Sequence, residues 1–241
     1  MEKEDPERAK VFARVKEILE QADRNKAMEF LNGQGEPQTV ARRYLELMMD
    51  FYWKARALSE VTSFGTVGID YSLAKAQEFA QSNPEAARDL KSAAMAMAYN
   101  LASLTWPGWD EEGIVISDTD LATGLEAAKL NLRLARELKK GASAISAAYW
   151  VVGAQYLAAE QYEDAGKAFE MAIENAREAG DEASALMNSG YAGIVKVIGR
   201  VQKAKGKEQF EQAIEELKKI GSEDAKFYAQ QLEGVLAFFS K

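Results

Sequence analysis

Residues 147–181 read AAYWVVGAQYLAAEQYEDAGKAFEMAIENAREAGD. The stretch is dominated by strong helix formers and is interrupted only near Glu160-Gln161 and at Ala179-Gly180-Asp181. It therefore predicts two helices joined by a turn of about two residues. On the first helix Tyr149, Val152, Gly153 and Tyr156 recur at helical spacing, and on the second Tyr162, Ala165, Phe169 and Ala172 do the same. Gly153 and Ala165 are small where two antiparallel helices cross closely, whereas Tyr149, Tyr156 and Phe169 are large enough to fill the space between one hairpin and the next.

These eight residues, at these spacings, resemble the tetratricopeptide repeat. Arg177 stands where that motif often ends in proline. The resemblance implies an all-α fold of antiparallel helical hairpins, stacked as a right-handed solenoid. Advancing by 37 residues takes Gly153 to Gly190, Tyr149 to Leu186 and Tyr156 to Gly193; stepping back by 37 takes Ala165, Phe169 and Ala172 to Ala128, Leu132 and Ala135. Phe210 and Ala213 stand 41 beyond Phe169 and Ala172, as an extra helical turn would place them. The clear repeat covers 143–179, with degenerate helix pairs at 5–31, 38–82, 85–140 and 182–220. A closing helix at 223–239 puts Tyr228, Leu232, Val235, Leu236 and Phe239 on one face, with Phe238 off that face and available for self-association. The expected organisation is one helical-repeat domain over 1–241.

Composition narrows the chemistry. The 241 residues are 47% hydrophobic, enough for a substantial core. The 38 acidic and 30 basic residues leave a net charge of −8, which gives no general attraction to nucleic acid or to an anionic membrane surface. There is no cysteine, so thiol nucleophiles, disulfides and thiolate metal sites are excluded. There is no histidine either, which removes the usual proton-transfer group and the usual transition-metal ligand. No signal-like or membrane-spanning apolar run is present, and a cytoplasmic protein is the simplest expectation. The resemblance implies a non-enzymatic module, without cofactor or metal, that binds a protein or peptide segment or assembles with copies of itself.

Glycine, proline and Asx punctuation divides the chain into about ten helices. The breaks fall at 23–25, 32–37, 63–70, 82–84, 106–113, 139–141, 179–181, 205–207 and 220–224. Ser117, three residues before Asp120, predicts a helix start, and Gly141, Gly180 and Gly221 predict left-handed helix stops.

Two segments stand out as candidate sites. In the first two complete helix pairs the connections read as long loops, 59–70 and 105–118, each with an aromatic beside a glycine: Phe64-Gly65, then Trp106-Pro107-Gly108-Trp109. Loops of that length often carry function. Either Trp106, Ile114, Val115 and Ile116 fold back as a plug over the N-terminal repeats, or Trp106 and Trp109 form a surface for a partner. The other segment is ELMMDFYWKA at 46–55, where Phe51, Tyr52 and Trp53 point in three directions at about 100° per residue. These residues either pack in the core with Asp50 facing water, or Tyr52, Trp53 and Asp50 wall a small-ligand pocket closed by the two loops. Asn188, Lys196 and Arg200 fit part of a carboxylate clamp known in tetratricopeptide proteins, without completing it.

Overall fold

The computed structural model describes residues 5–200 and 202–241. They form eleven α-helices and one short 3₁₀ turn, with no strand among the described residues. None of these helices is long and apolar enough to cross a membrane. The chain divides into two compact units, residues 1–101 and 102–241.

The first unit contains α1 (Pro6–Gln21), α2 (Arg24–Asn32), α3 (Pro37–Trp53), α4 (Leu58–Phe79) and most of α5 (Pro84–Leu104). Local chemistry sets the starts: the Asp5 carboxylate accepts from the Glu7 amide, Asp23 from Lys26, and proline opens α1, α3 and α5. α3 and α4 pack as a hairpin whose core holds Tyr44, Met48, Phe51 and Phe64. The Phe51 and Phe64 rings stack with centroids 5.4 Å apart.

The expected loop at 59–70 is not a loop: those residues lie within α4, and the connection is the short stretch 54–57, with Arg56 in the left-handed region (φ 53°). Gly65 and Gly68 are there because other side chains come close. A methyl at Gly65 would lie 2.9 Å from Met48 Sδ, and one at Gly68 would lie 2.6 Å from Tyr44 Cβ and 2.7 Å from Met97 Sδ.

The second unit continues with α6 (Asp118–Glu137), α7 (Ala142–Ala158), α8 (Tyr162–Glu178), α9 (Glu182–Ile198), α10 (Lys203–Ile220) and α11 (Glu223–Phe239). Consecutive helices pack in order from α6 to α11, and α11 also covers α9. Ser117 and Asp120 close a reciprocal capping box at the start of α6. In the α7–α8 hairpin a methyl at Gly153 would lie 2.9 Å from the Phe169 ring, which is the close crossing expected of that glycine. α7 is buried nearly all round, as an apolar helix inside a stack must be.

Three sequence readings change here. The glycine of the next hairpin that plays Gly153's part is Gly193, where a methyl would lie 2.8 Å from the Gly206 carbonyl and close to Phe210; a methyl at Gly190 would instead meet Leu232 of α11. Residues 205–207 lie inside α10, because Gly206 permits that crossing rather than ending a helix. Gly180 and Gly221 adopt the left-handed stop (φ 71° and 67°), but Gly141 is the N-cap of α7 and Lys139 takes the left-handed turn before it (φ 52°).

Candidate functional site

Trp106 and Trp109 meet in the second unit. α5 ends at Leu104, Thr105 is buried, and Pro107 opens the 3₁₀ turn Pro107–Trp109, its fixed φ suiting a first turn position. Gly108 is obligatory: a methyl there would lie 2.4 Å from the Trp106 ring. Asp110 then turns the chain through the left-handed region at φ 46°.

The turn carries the Trp106 indole, 1% exposed, into a group of rings supplied by three separate helices. Trp150 of α7 and Tyr191 of α9 each have their centroid 6.0 Å from it, and Phe239 of α11 lies at 6.2 Å. Trp109 meets Trp106 edge-on at 5.1 Å and Trp150 at 5.9 Å. These separations are those of favourable aromatic pairs.

Polar fastenings are few. Trp109 Nε1 donates to the Ser103 carbonyl at 2.8 Å, and Lys241 Nζ reaches Asp110 Oδ2 at 3.0 Å. Trp106 Nε1 finds no acceptor among the described residues. Behind the turn, Gln155 Nε2 donates to the Ala102 carbonyl at 2.6 Å, and Gly124 leaves room for Thr105 and Gln155. Trp106 is buried, but not as a plug over the N-terminal repeats: its seat is on α7, α9 and α11 of the second unit, because the rings that can surround it come from those helices. Val115 takes no part in it, being 85% exposed.

The other candidates lie in the first unit. Phe64 is fully buried on α4, stacked on Phe51, and so is not part of a loop. Tyr52 is buried, whereas Trp53 beside it is about half exposed (53%) with the Arg56 guanidinium 5.8 Å from its ring. Asp50 does not face water. Arg8 Nε and Nη2 grip its two oxygens at 2.9 and 2.8 Å, and Lys54 Nζ adds a contact at 3.1 Å. That bidentate pair ties α1 to α3.

A surface of which the sequence suggested only Lys196 lies between α8 and α9. A cavity of about 380 Å³ is lined by Tyr162, Glu163, Gly166, Lys167 and Glu170 on α8 and by Ala192, Val195 and Lys196 on α9. Gly166 has open space over it, so the small residues make an apolar floor and the long charged ones make the walls. The Lys167–Glu163 hydrogen bond, 2.6 Å, raises the lysine and lowers the glutamate from their ordinary values. Partial burial pushes the Tyr162 hydroxyl up, with Glu160 adding to it. Lys196 is held by Gln209 at 2.7 Å, which in turn donates to Ser189. Asn188 is buried and donates to its own helix at Ser184, so it does not join Lys196 at this surface. The available signal was Gly166, a glycine at an outward position of an amphipathic helix, where neither a turn nor a crossing calls for one. Set against known proteins, the chain matches no family model and no curated protein sequence.

Proposed function

We propose that this chain is a non-enzymatic, tetratricopeptide-like interaction module, working in the cytoplasm, which holds a segment of another protein in the groove between α8 and α9. The observation that carries this reading is the groove itself: an apolar floor at Gly166, Ala192 and Val195 between charged walls, large enough for one or two bulky apolar side chains. A small buried floor supplies affinity, and a charged rim supplies register.

Gly166→Trp tests it. The new side chain enters open space, so the fold is retained while the groove is filled. Proteins retained on immobilised wild type and lost from Gly166→Trp support the groove; identical retention by both removes it.

Self-assembly is a second reading, favoured by one observation. On α11, Phe227 is 57% exposed and shares a face, at helical spacing, with Gln231, Gly234 and the half-buried Phe238. Sedimentation that gives a dimer for wild type and a monomer for Phe227→Asp supports it; a wild-type monomer at high concentration excludes it. The alternative of a small-ligand pocket needs 59–70 as a lid, and those residues are helical.

A further inference from the structure

The turn at 106–109 sits in the second unit in the manner of a bound peptide. It is one short 3₁₀ turn, its rings contact side chains of three different helices, and the chain that follows it is largely exposed up to Ser117. Each of its four residues has a distinct part. Trp106 fills the space among Trp150, Tyr191 and Phe239. Pro107 presets the turn, Gly108 leaves room for the Trp106 ring where a methyl would lie 2.4 Å from it, and Trp109 closes edge-on over the first indole. Trp106 Nε1, without an acceptor among the described residues, leaves the fit incomplete.

The geometry points to an aromatic docking site on α7, α9 and α11, built to recognise an aromatic–Pro–Gly–aromatic turn and filled by the chain's own copy of that motif. Its occupant in exchange is a segment of another protein with the same chemistry: two aromatic side chains flanking a Pro-Gly turn. Because the internal copy is tethered, it acts at an effective concentration on the order of millimolar. A free segment therefore enters the wild-type site only weakly, and removing the internal rings opens it. This site is separate from the α8–α9 groove and does not depend on it.

The test uses the full chain and a dye-labelled peptide of residues 103–113, SLTWPGWDEEG, followed by fluorescence anisotropy. Trp106→Ala/Trp109→Ala is expected to bind the peptide at least tenfold more tightly than wild type. Replacing Gly108 of the peptide by alanine is expected to weaken that binding at least tenfold, since the added methyl strikes the first indole. A folded double variant that binds neither peptide up to about a millimolar, the effective-concentration range at stake, overturns the proposal. So does one that binds both alike. Should circular dichroism show the double variant unfolded, Gly108→Ala, whose added methyl strikes the Trp106 ring and so weakens the internal copy, decides by the same criteria. A mixed dimer of the double variant with wild type would give the seat to a second copy and overturn its assignment to a foreign segment. Peptide binding that persists in a chain also carrying Gly166→Trp separates this site from the groove.

Discussion

At Gly68 an added methyl would lie 2.6 Å from Tyr44 Cβ, whereas at Gly234 it would meet nothing within 4 Å. Both glycines are inside helices, where alanine is intrinsically better by about 1 kcal/mol. Gly234→Ala is accordingly expected to raise stability by roughly 0.5–1 kcal/mol. Gly68→Ala is expected to lower it by about 1–3 kcal/mol through overpacking. Urea denaturation of the two variants reads the opposite signs. Tyr44 offers a pH-dependent test. Burial, with Tyr71 adding to it, pushes its hydroxyl up to about 12, and that hydroxyl donates to Asn32 Oδ1 at 3.0 Å. The unfolded chain releases this proton near pH 10 while the folded chain keeps it, so this contribution to stability is intact below about pH 10 and is lost as pH rises toward 12. Tyr44→Phe is expected to cost about 1 kcal/mol at neutral pH and to flatten the alkaline loss; urea midpoints at about pH 7 and pH 11, on either side of the free tyrosine value, measure both. The glycines also show where sequence reading stops. Gly153 was legible because Phe169 and Ala165 accompany it in a known pattern. Gly65, Gly68 and Gly206 read as breaks, since a turn glycine and a crossing glycine are the same letter until the opposing side chain is known.

α1 is the lightly held element of the first unit. Only Val11 and Val15 are buried on it, Phe12 meets Phe51 edge-on at 5.2 Å, and its long-range polar fastenings are the Arg8–Asp50 pair and, at its N-cap, Asp5 4.0 Å from Arg43. Asp50→Asn removes the charge that Arg8 grips. Because Arg8 is about a third exposed and can turn to water, the expected cost falls below the roughly 3–5 kcal/mol of a fully buried pair, at about 1–3 kcal/mol. Hydrogen exchange is expected to speed up along α1 and to change little on α3. Unchanged α1 exchange would show that Val11, Val15 and Phe12 suffice to hold it. The start signal, Asp5 capping ahead of Pro6, is local but was not read, and the helix itself was legible only by its length. Its attachment was not, because Arg8 and Asp50 are 42 positions apart and nothing local pairs them. The same limit applies to the long helix α4, whose true start after Arg56 carries neither glycine nor proline.

Across the molecule, the two units each have their own core, and three of the four tryptophans, Trp106, Trp109 and Trp150, lie in the second. Tryptophan fluorescence therefore reports chiefly on residues 102–241, while circular dichroism reports on both units. Gly124→Ala, whose methyl would lie 2.2 Å from Thr105 Oγ1 and 2.6 Å from Gln155 Nε2, is expected to lower the fluorescence midpoint more than the dichroism midpoint. Equal shifts would show that the two units unfold together. At this scale the order of hairpins and the closing helix were legible, because helical period and capping are local properties. The turn at 106–109 was legible as an oddity, but its seat was not: Trp150, Tyr191 and Phe239 are spread along the chain and converge only when the hairpins stack. That spacing has a consequence during biosynthesis. Phe239 and Lys241 leave the ribosome more than 130 residues after Trp106 and Asp110, on the order of 10 s at common elongation rates. For that interval two indoles stand without their full seat on a nascent chain, a window in which a chaperone could bind them.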